Sequence, residues 1–284
     1  MTEKPEDTSA LQPANKGSGA LVRAMDRRVS IASRLLSEIA VKKAAETGIR
    51  KTSRRITLEV AMRFLDDADS VNLDEYTAID LDAAEVLAQH ADDLILDGLT
   101  ALDVEVAEAL AKHECLLSLN GLTELGAEVA EALAKHESLL SLNGLTELDV
   151  EVTEALALHK GAIELNGLTA LDAEVAAALA MHGGWLYLDG LTALDADVAN
   201  ALAKHEGFEL RLNGLTKLDA EVAEAFAKHE NRLYLNGLTS LDAEAAKALA
   251  MHDNWLFLRG LTELDAAAAR FLQASVYLII PGCP

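Results

Sequence analysis

Basic residues are scarce in most of this chain. Residues 57–284 carry 12 Lys/Arg against 41 Asp/Glu, whereas residues 1–56 carry 12 against 6. A body so acidic argues against a nucleic-acid groove, because phosphate binding needs a basic surface. Long apolar runs are missing too: no 18 consecutive uncharged apolar residues occur, so no transmembrane helix is expected. The opening MTEKPEDTSALQPANKGSG has no apolar core of a secretory signal, and the Arg27-Arg28 pair is followed by Arg34 and Glu38, which interrupt a twin-arginine leader. Cysteine occurs twice, at Cys115 and Cys283, without metal-ligand spacing. A cytoplasmic location is therefore expected, secretion as an effector being the alternative. Aromatic residues make up 4% of the chain, which makes their placement informative.

What the chain has in abundance is a repeat. From Asp97 onward the pattern N-G-L-T-x-L-D-A-E-V-A-x-A-L-A-x-H-x-x-x-L-x-L recurs every 23 residues, with copies starting at Asp97, Asn120, Asn143, Asn166, Asp189, Asn213, Asn236 and Arg259. The copy at Asp189 holds one extra residue, near Phe208. Two degenerate copies start at Lys51 and Asp74, giving ten rungs. Within a rung, x-L-x-L alternates with period two and predicts a short strand. The glycine that follows, Gly190 in rung six to seven, suits a positive φ or a close backbone approach. Asp195 has the chemistry of an N-cap, and ADVANALAKH predicts a helix of about three turns with Val198, Ala201 and Leu202 inward. A strand–helix unit this small cannot bury its apolar face alone, so the rungs must stack. Stacking also places the two cysteines seven rungs apart, roughly 30 Å at ~4.8 Å per rung, too far for a disulfide.

The segment L-x-L-x-G-L-x-x-L in each rung resembles the leucine-rich-repeat solenoids of the bacterial kind, over residues 51–281. The chain departs from that pattern by having Leu122, Leu145 and Leu168 where Asn, Cys or Thr is usual, and Glu or Gly three residues before L-x-L where leucine is usual. The resemblance implies an α/β solenoid, with a parallel sheet on one face and short helices on the other, and a protein-binding scaffold as its habit. The expected organisation is a disordered tail (1–19), a basic amphipathic helix serving as N-terminal cap (20–50) and the repeat solenoid (51–284).

The x positions of x-L-x-L should lie on the sheet surface. There, rungs six to ten carry both tryptophans of the protein and three of its four tyrosines: Trp185/Tyr187, Glu209/Arg211, Arg232/Tyr234, Trp255/Phe257 and Tyr277/Ile279. Rungs three and four have Leu116/Ser118 and Leu139/Ser141 at the same sites. Trp, Tyr and Arg are the residues of binding hot spots; aromatics also suit strands through cross-strand packing alone. The candidate binding set is Trp185, Tyr187, Arg211, Arg232, Tyr234, Trp255, Phe257 and Tyr277, with a protein or peptide as the favoured partner. A carbohydrate is the alternative, because Asn166, Asp189, Asn213 and Asn236 lie just beyond the strands.

Two further ladders have plainer roles. All eight histidines (His90, His113, His136, His159, His182, His205, His229, His252) share one repeat position. A second ligand at matched spacing is missing, so helix-end contacts with loop backbone explain them better than metal binding, with a collective response to acid as a minor possibility. Asp80, Asp103, Asp149, Asp172, Asp195, Asp219, Asp242 and Asp265 each precede a helix, which fits capping better than calcium; Gly126 interrupts the series. Glu128 and Glu131 read as a solvated outer face. Neither a nucleophile–base constellation nor a phosphate loop is present, so no enzyme and no cofactor are expected. Residues 20–47 space Leu21, Met25, Val29, Ala32, Leu36 and Ile39 on one helical face, for capping, a partner or a membrane surface. The apolar ending SVYLIIPGCP lacks a polar cap, which suggests a homodimer, or end-to-end assembly, through the C-terminal rungs.

Overall fold

The computed structural model describes residues 55–264, 266–273 and 278–279, all within the compact unit Thr52–Pro284. The expected tail (1–19) and amphipathic helix (20–50), and Asp265, Tyr277 and Cys283, lie outside the described residues. Rungs two to ten each supply one strand to the main sheet: Leu94–Ile95, Leu117–Ser118, Leu140–Ser141, Ile163–Glu164, Trp185–Tyr187, Glu209–Arg211, Arg232–Tyr234, Leu256–Phe257 and Leu278–Ile279. They form a nine-stranded parallel sheet in chain order. The register joins Leu94, Leu117, Leu140, Ile163, Leu186, Leu210, Leu233, Leu256 and Leu278 into one row. From Leu94 to Leu258, the paired leucines of x-L-x-L (Ile163 in rung five) are 0–1% exposed. Rung one differs: around Ser70 and Asn72, where the repeat places its x-L-x-L strand, the chain makes two short 3-10 turns, Ala68–Ser70 and Leu73–Glu75. Val71 and Leu73 are still buried, so the degenerate rung keeps its apolar skeleton without its strand.

The helices are shorter than the pattern suggests. Ala196–Leu202 has seven residues, two turns rather than three, as do most of its counterparts. The physical reason lies at the C-terminal end. His205 N–H bonds to the Leu202 carbonyl three residues back at 3.0 Å, a tight closure that turns the chain toward the next strand. Val198, Ala201 and Leu202 face the core as expected, and Ala199 joins them at 0% exposure. Alanine on that face lets neighbouring helices approach closely. Asp149, Asp172, Asp195 and Asp242 accept a hydrogen bond from the backbone N–H three residues on, each at 2.8 Å, which is the capping role. Asp80, Asp103 and Asp219 occupy the same position without that bond.

The corner after each strand fixes the spacing between rungs. Of the two reasons a glycine can stand there, close approach is the one that operates. A Cβ on Gly167 would lie 2.2 Å from the Asn143 carbonyl oxygen and 2.5 Å from that of Leu145, both in the preceding rung. The residue before the glycine ties the rungs together. Asn143 Oδ1 accepts the Asn166 N–H at 2.8 Å, Asn166 Oδ1 accepts the Asp189 N–H at 2.8 Å, and Asp189 Oδ1 accepts the Asn213 N–H at 2.8 Å. The series runs from Asp97 through Asn236 to the Arg259 N–H. Two glycines therefore predict opposite outcomes. Gly167→Ala forces backbones apart and should cost about 1–3 kcal/mol. Gly126 sits at an N-cap with φ −85° and ψ 152° and nothing within 4 Å of a Cβ. Gly126→Asp should therefore stabilise by about 0.5–1 kcal/mol through capping and a less flexible unfolded chain. Thermal and urea denaturation of the two variants check both signs; equal effects would contradict the corner as described.

Candidate functional site

The sheet surface divides into two columns, because the two x positions of x-L-x-L have different surroundings. In the first column Trp185, Arg232 and Trp255 are exposed, the indoles to 45% and 44%. Their neighbour Glu209 is only 9% exposed, flanked in register by Trp185 on one side and Arg232 on the other. The second column is more covered. Tyr187, expected on the surface, is 7% exposed, and Ser118 and Ser141 are buried as well. This column lies beside the asparagine corner and packs sideways along the stack. Ser118 Oγ donates to Asp97 Oδ1 at 2.6 Å, and Ser141 Oγ lies 2.9 Å from both Asn120 Oδ1 and Glu164 Oε2.

From rung six onward aromatic and guanidinium groups replace these hydroxyls. The Arg211 guanidinium lies over the Tyr187 ring at 4.6 Å, and its Nη2 meets Asp189 Oδ2 at 3.0 Å. Tyr234 and Phe257 stack with centroids 3.9 Å apart and planes at 6°. Arg259 lies over the Phe257 ring at 5.7 Å, and the Trp255 indole lies 6.4 Å from the same ring. Burial, then the Glu209 carboxylate, push the phenols of Tyr187 and Tyr234 up from their ordinary range, so both remain hydrogen-bond donors at neutral pH. Tyr187, Arg211, Tyr234 and Phe257 thus form an interlocked row, the cross-strand packing the sequence already offered as a reason for aromatics here. The exposed indoles are set beside this row.

One residue escaped the sequence reading. Phe208, the extra residue of rung seven, is 71% exposed. With Leu139, Ala162 and Trp185 it lines a groove of about 350 Å³ that also includes Gly161 and Gly184 and is bordered by Glu137 and Lys160. The signal was present: a single insertion in an otherwise fixed repeat had to leave one side chain outside the stack. The asparagines proposed as sugar contacts have another use. The side-chain oxygens of Asn166, Asp189, Asn213 and Asn236 accept backbone N–H groups of the next rung.

The histidines stack. From His113 to His252 adjacent rings lie 6.0–6.3 Å apart with interplanar angles from 3° to 23°. All seven are at most 3% exposed. Backbone carbonyls surround them, as at His159, whose Nε2 lies 3.0 Å from the Ser138 oxygen and 3.2 Å from that of Ala162. The contact with loop backbone is therefore present, and burial disfavours the charged form of the rings from His136 to His252. Burial pushes the pKa values of His136, His159, His182 and His252 down, and those of His205 to about 3 and His229 to about 4. Charge on a neighbouring ring adds to this at His136, His159, His205 and His229; nearby carbonyls oppose it. Among the described residues no group of three or more His, Cys, Asp or Glu is placed to hold a metal ion. No described helix is long and apolar enough to cross a membrane.

Its strand–turn–helix rungs and nine-stranded parallel sheet make this chain a leucine-rich-repeat-like solenoid. No protein-family model matches it, and comparison with curated proteins gives no match. Among solved structures, a leucine-rich-repeat protein of Leptospira interrogans is 18% identical over 72% of this chain and 57% of its own, with a TM-score of 0.40. An internalin of Listeria monocytogenes is 17% identical over 77% of each chain, also with a TM-score of 0.40. Neither likeness bears on function, which is argued below from this chain's own residues.

The histidine stack predicts a pH dependence with a definite sign. An imidazole whose folded pKa lies below its unfolded value of about 6.5 stabilises the fold fully above that value, because the unfolded chain takes up the proton first. On acidification from pH 6.5 toward 4 the contribution is lost. With folded values of about 3 and about 4, His205 and His229 should each remove about 2 kcal/mol at pH 5. Thermal midpoints measured between pH 7.5 and 5 should fall steadily, and His205→Leu should fall less steeply. A flat profile would contradict neutral buried rings.

Proposed function

We propose that this chain is a non-enzymatic interaction module that takes a protein or peptide partner on the sheet face of its C-terminal rungs. The observation that carries this reading is the pair of exposed indoles, Trp185 and Trp255. They lie on one face, with Arg232 exposed between them, in a body where aromatic residues are rare. Apolar surface of this size left open on a sheet is a feature of binding faces. Beside it the Tyr187–Arg211–Tyr234–Phe257 row is locked by a cation–π contact, an ion pair and ring stacking, so little order has to be gained on binding. Trp185, Arg232 and Trp255 make the direct contacts, and the row holds the flank of the face.

The test separates contact from support. Trp185→Ser and Trp255→Ser should each cost about 1–2 kcal/mol, because only part of each indole is covered by its neighbours. The same pair should weaken capture of a partner from source-cell lysate at least tenfold, the scale of lost hot spots. Tyr187→Ser, in contrast, should destabilise by roughly 2–4 kcal/mol through lost burial and the lost cation–π contact with Arg211. Identical captures by the native chain and the double variant would remove this face from the account.

A further inference from the structure

We propose that the ligand of this face is an extended peptide segment with bulky apolar side chains at positions i and i+4 and an aspartate or glutamate at i+2. The inference rests on the binding face proposed above and specifies what fits it. The register sets Trp185, Glu209 and Arg232 on successive strands, and the pairing of Leu233 with Leu256 puts Trp255 on the next. Three steps of ~4.8 Å separate the indoles by ~14 Å. An extended chain advances ~3.3 Å per residue and returns a side chain to the same side every second residue, so i and i+4 are ~13 Å apart. A helix matches less well: at ~1.5 Å per residue its same-face positions i+7 and i+11 fall at ~10.5 and ~16.5 Å. A segment running along the stack therefore sets two side chains against Trp185 and Trp255, and a third midway, over Glu209 and Arg232.

Charge decides what the middle side chain must be. Glu209 is nearly covered, whereas Arg232 is exposed. Arg211 is held by Asp189 at 3.0 Å. Arg259, also exposed, lies over Phe257 at the same end of the face. What the midpoint offers a ligand is thus a guanidinium, whose donor geometry matches a carboxylate. The rest of the body is acidic, but fixed charges beyond about 8 Å are screened at physiological ionic strength. One central acid is favoured, and further acids in the flanks are not. The sheet face offers no open strand edge, so recognition comes from side chains, and the spacing of anchors carries the specificity.

The experiment is selection from a displayed library of random linear 12-residue peptides, on the full chain at physiological salt. It is repeated with the Trp185→Ser/Trp255→Ser double variant and with Arg232→Glu, each first shown to keep the native thermal transition. The expected result is enrichment of apolar-x-(Asp/Glu)-x-apolar sequences, loss of at least tenfold in their binding to the double variant, and a change of central preference to Lys or Arg on Arg232→Glu. Peptides that need both tryptophans but show another spacing, or no central acid, would overturn this inference and leave the binding face standing. Peptides indifferent to both tryptophans would overturn the two together. A selection that enriches nothing would overturn the extended-peptide ligand alone, since the lysate capture tests the face independently.

Discussion

The contact on which the structure depends is the one between backbones at the corner after each strand. There a glycine brings one rung against the carbonyls of the rung before, and the preceding Asn or Asp binds the N–H of the rung after. Both interactions act between neighbours only, which is how a solenoid accumulates stability. Because they repeat at nearly every rung, they impose one spacing on whatever else the rung carries. The leucine row, the imidazole stack and the two columns of the sheet face all inherit it.

That inheritance explains why side chains with no chemistry in common line up. Histidine at one repeat position becomes a buried stack because each ring can only meet the ring of the next rung. Serine, then tyrosine and arginine, at another position become a lateral network for the same reason. The difference between rungs three to four and rungs six to nine is then one of content. The earlier rungs place small hydroxyls under a modest surface; the later ones place a rigid aromatic–guanidinium row beside two exposed indoles.

Much of this was legible in the repeat. Period-two leucines gave the strands, the aspartates gave helix starts, and rung stacking followed from the size of the unit. Three things were not. Alternation assigns both x positions of x-L-x-L to the sheet surface, but it cannot say that the asparagine corner and the flanking rungs cover the second of them; hence Tyr187 was placed outside and is buried. Nor does alternation show the fate of an inserted residue. Phe208 is expelled because the register from Leu186 to Leu210 is kept at the cost of one side chain left over. The role of the asparagines between rungs was hidden for a similar reason: their partners are 23 or 24 residues away and appear only when rungs are stacked.

The most direct measurement of this account is native-state hydrogen exchange at the corner amides. Those of Asn143, Asn166, Asp189, Asn213 and Asn236 are bonded to side-chain oxygens of the preceding rung. The account predicts that they exchange as slowly as the sheet amides of Leu165 and Leu188, which bond to the next strand at 2.9 Å. Exchange at the rate of an open loop would contradict the lock between rungs, and with it the fixed spacing on which the proposed binding face depends.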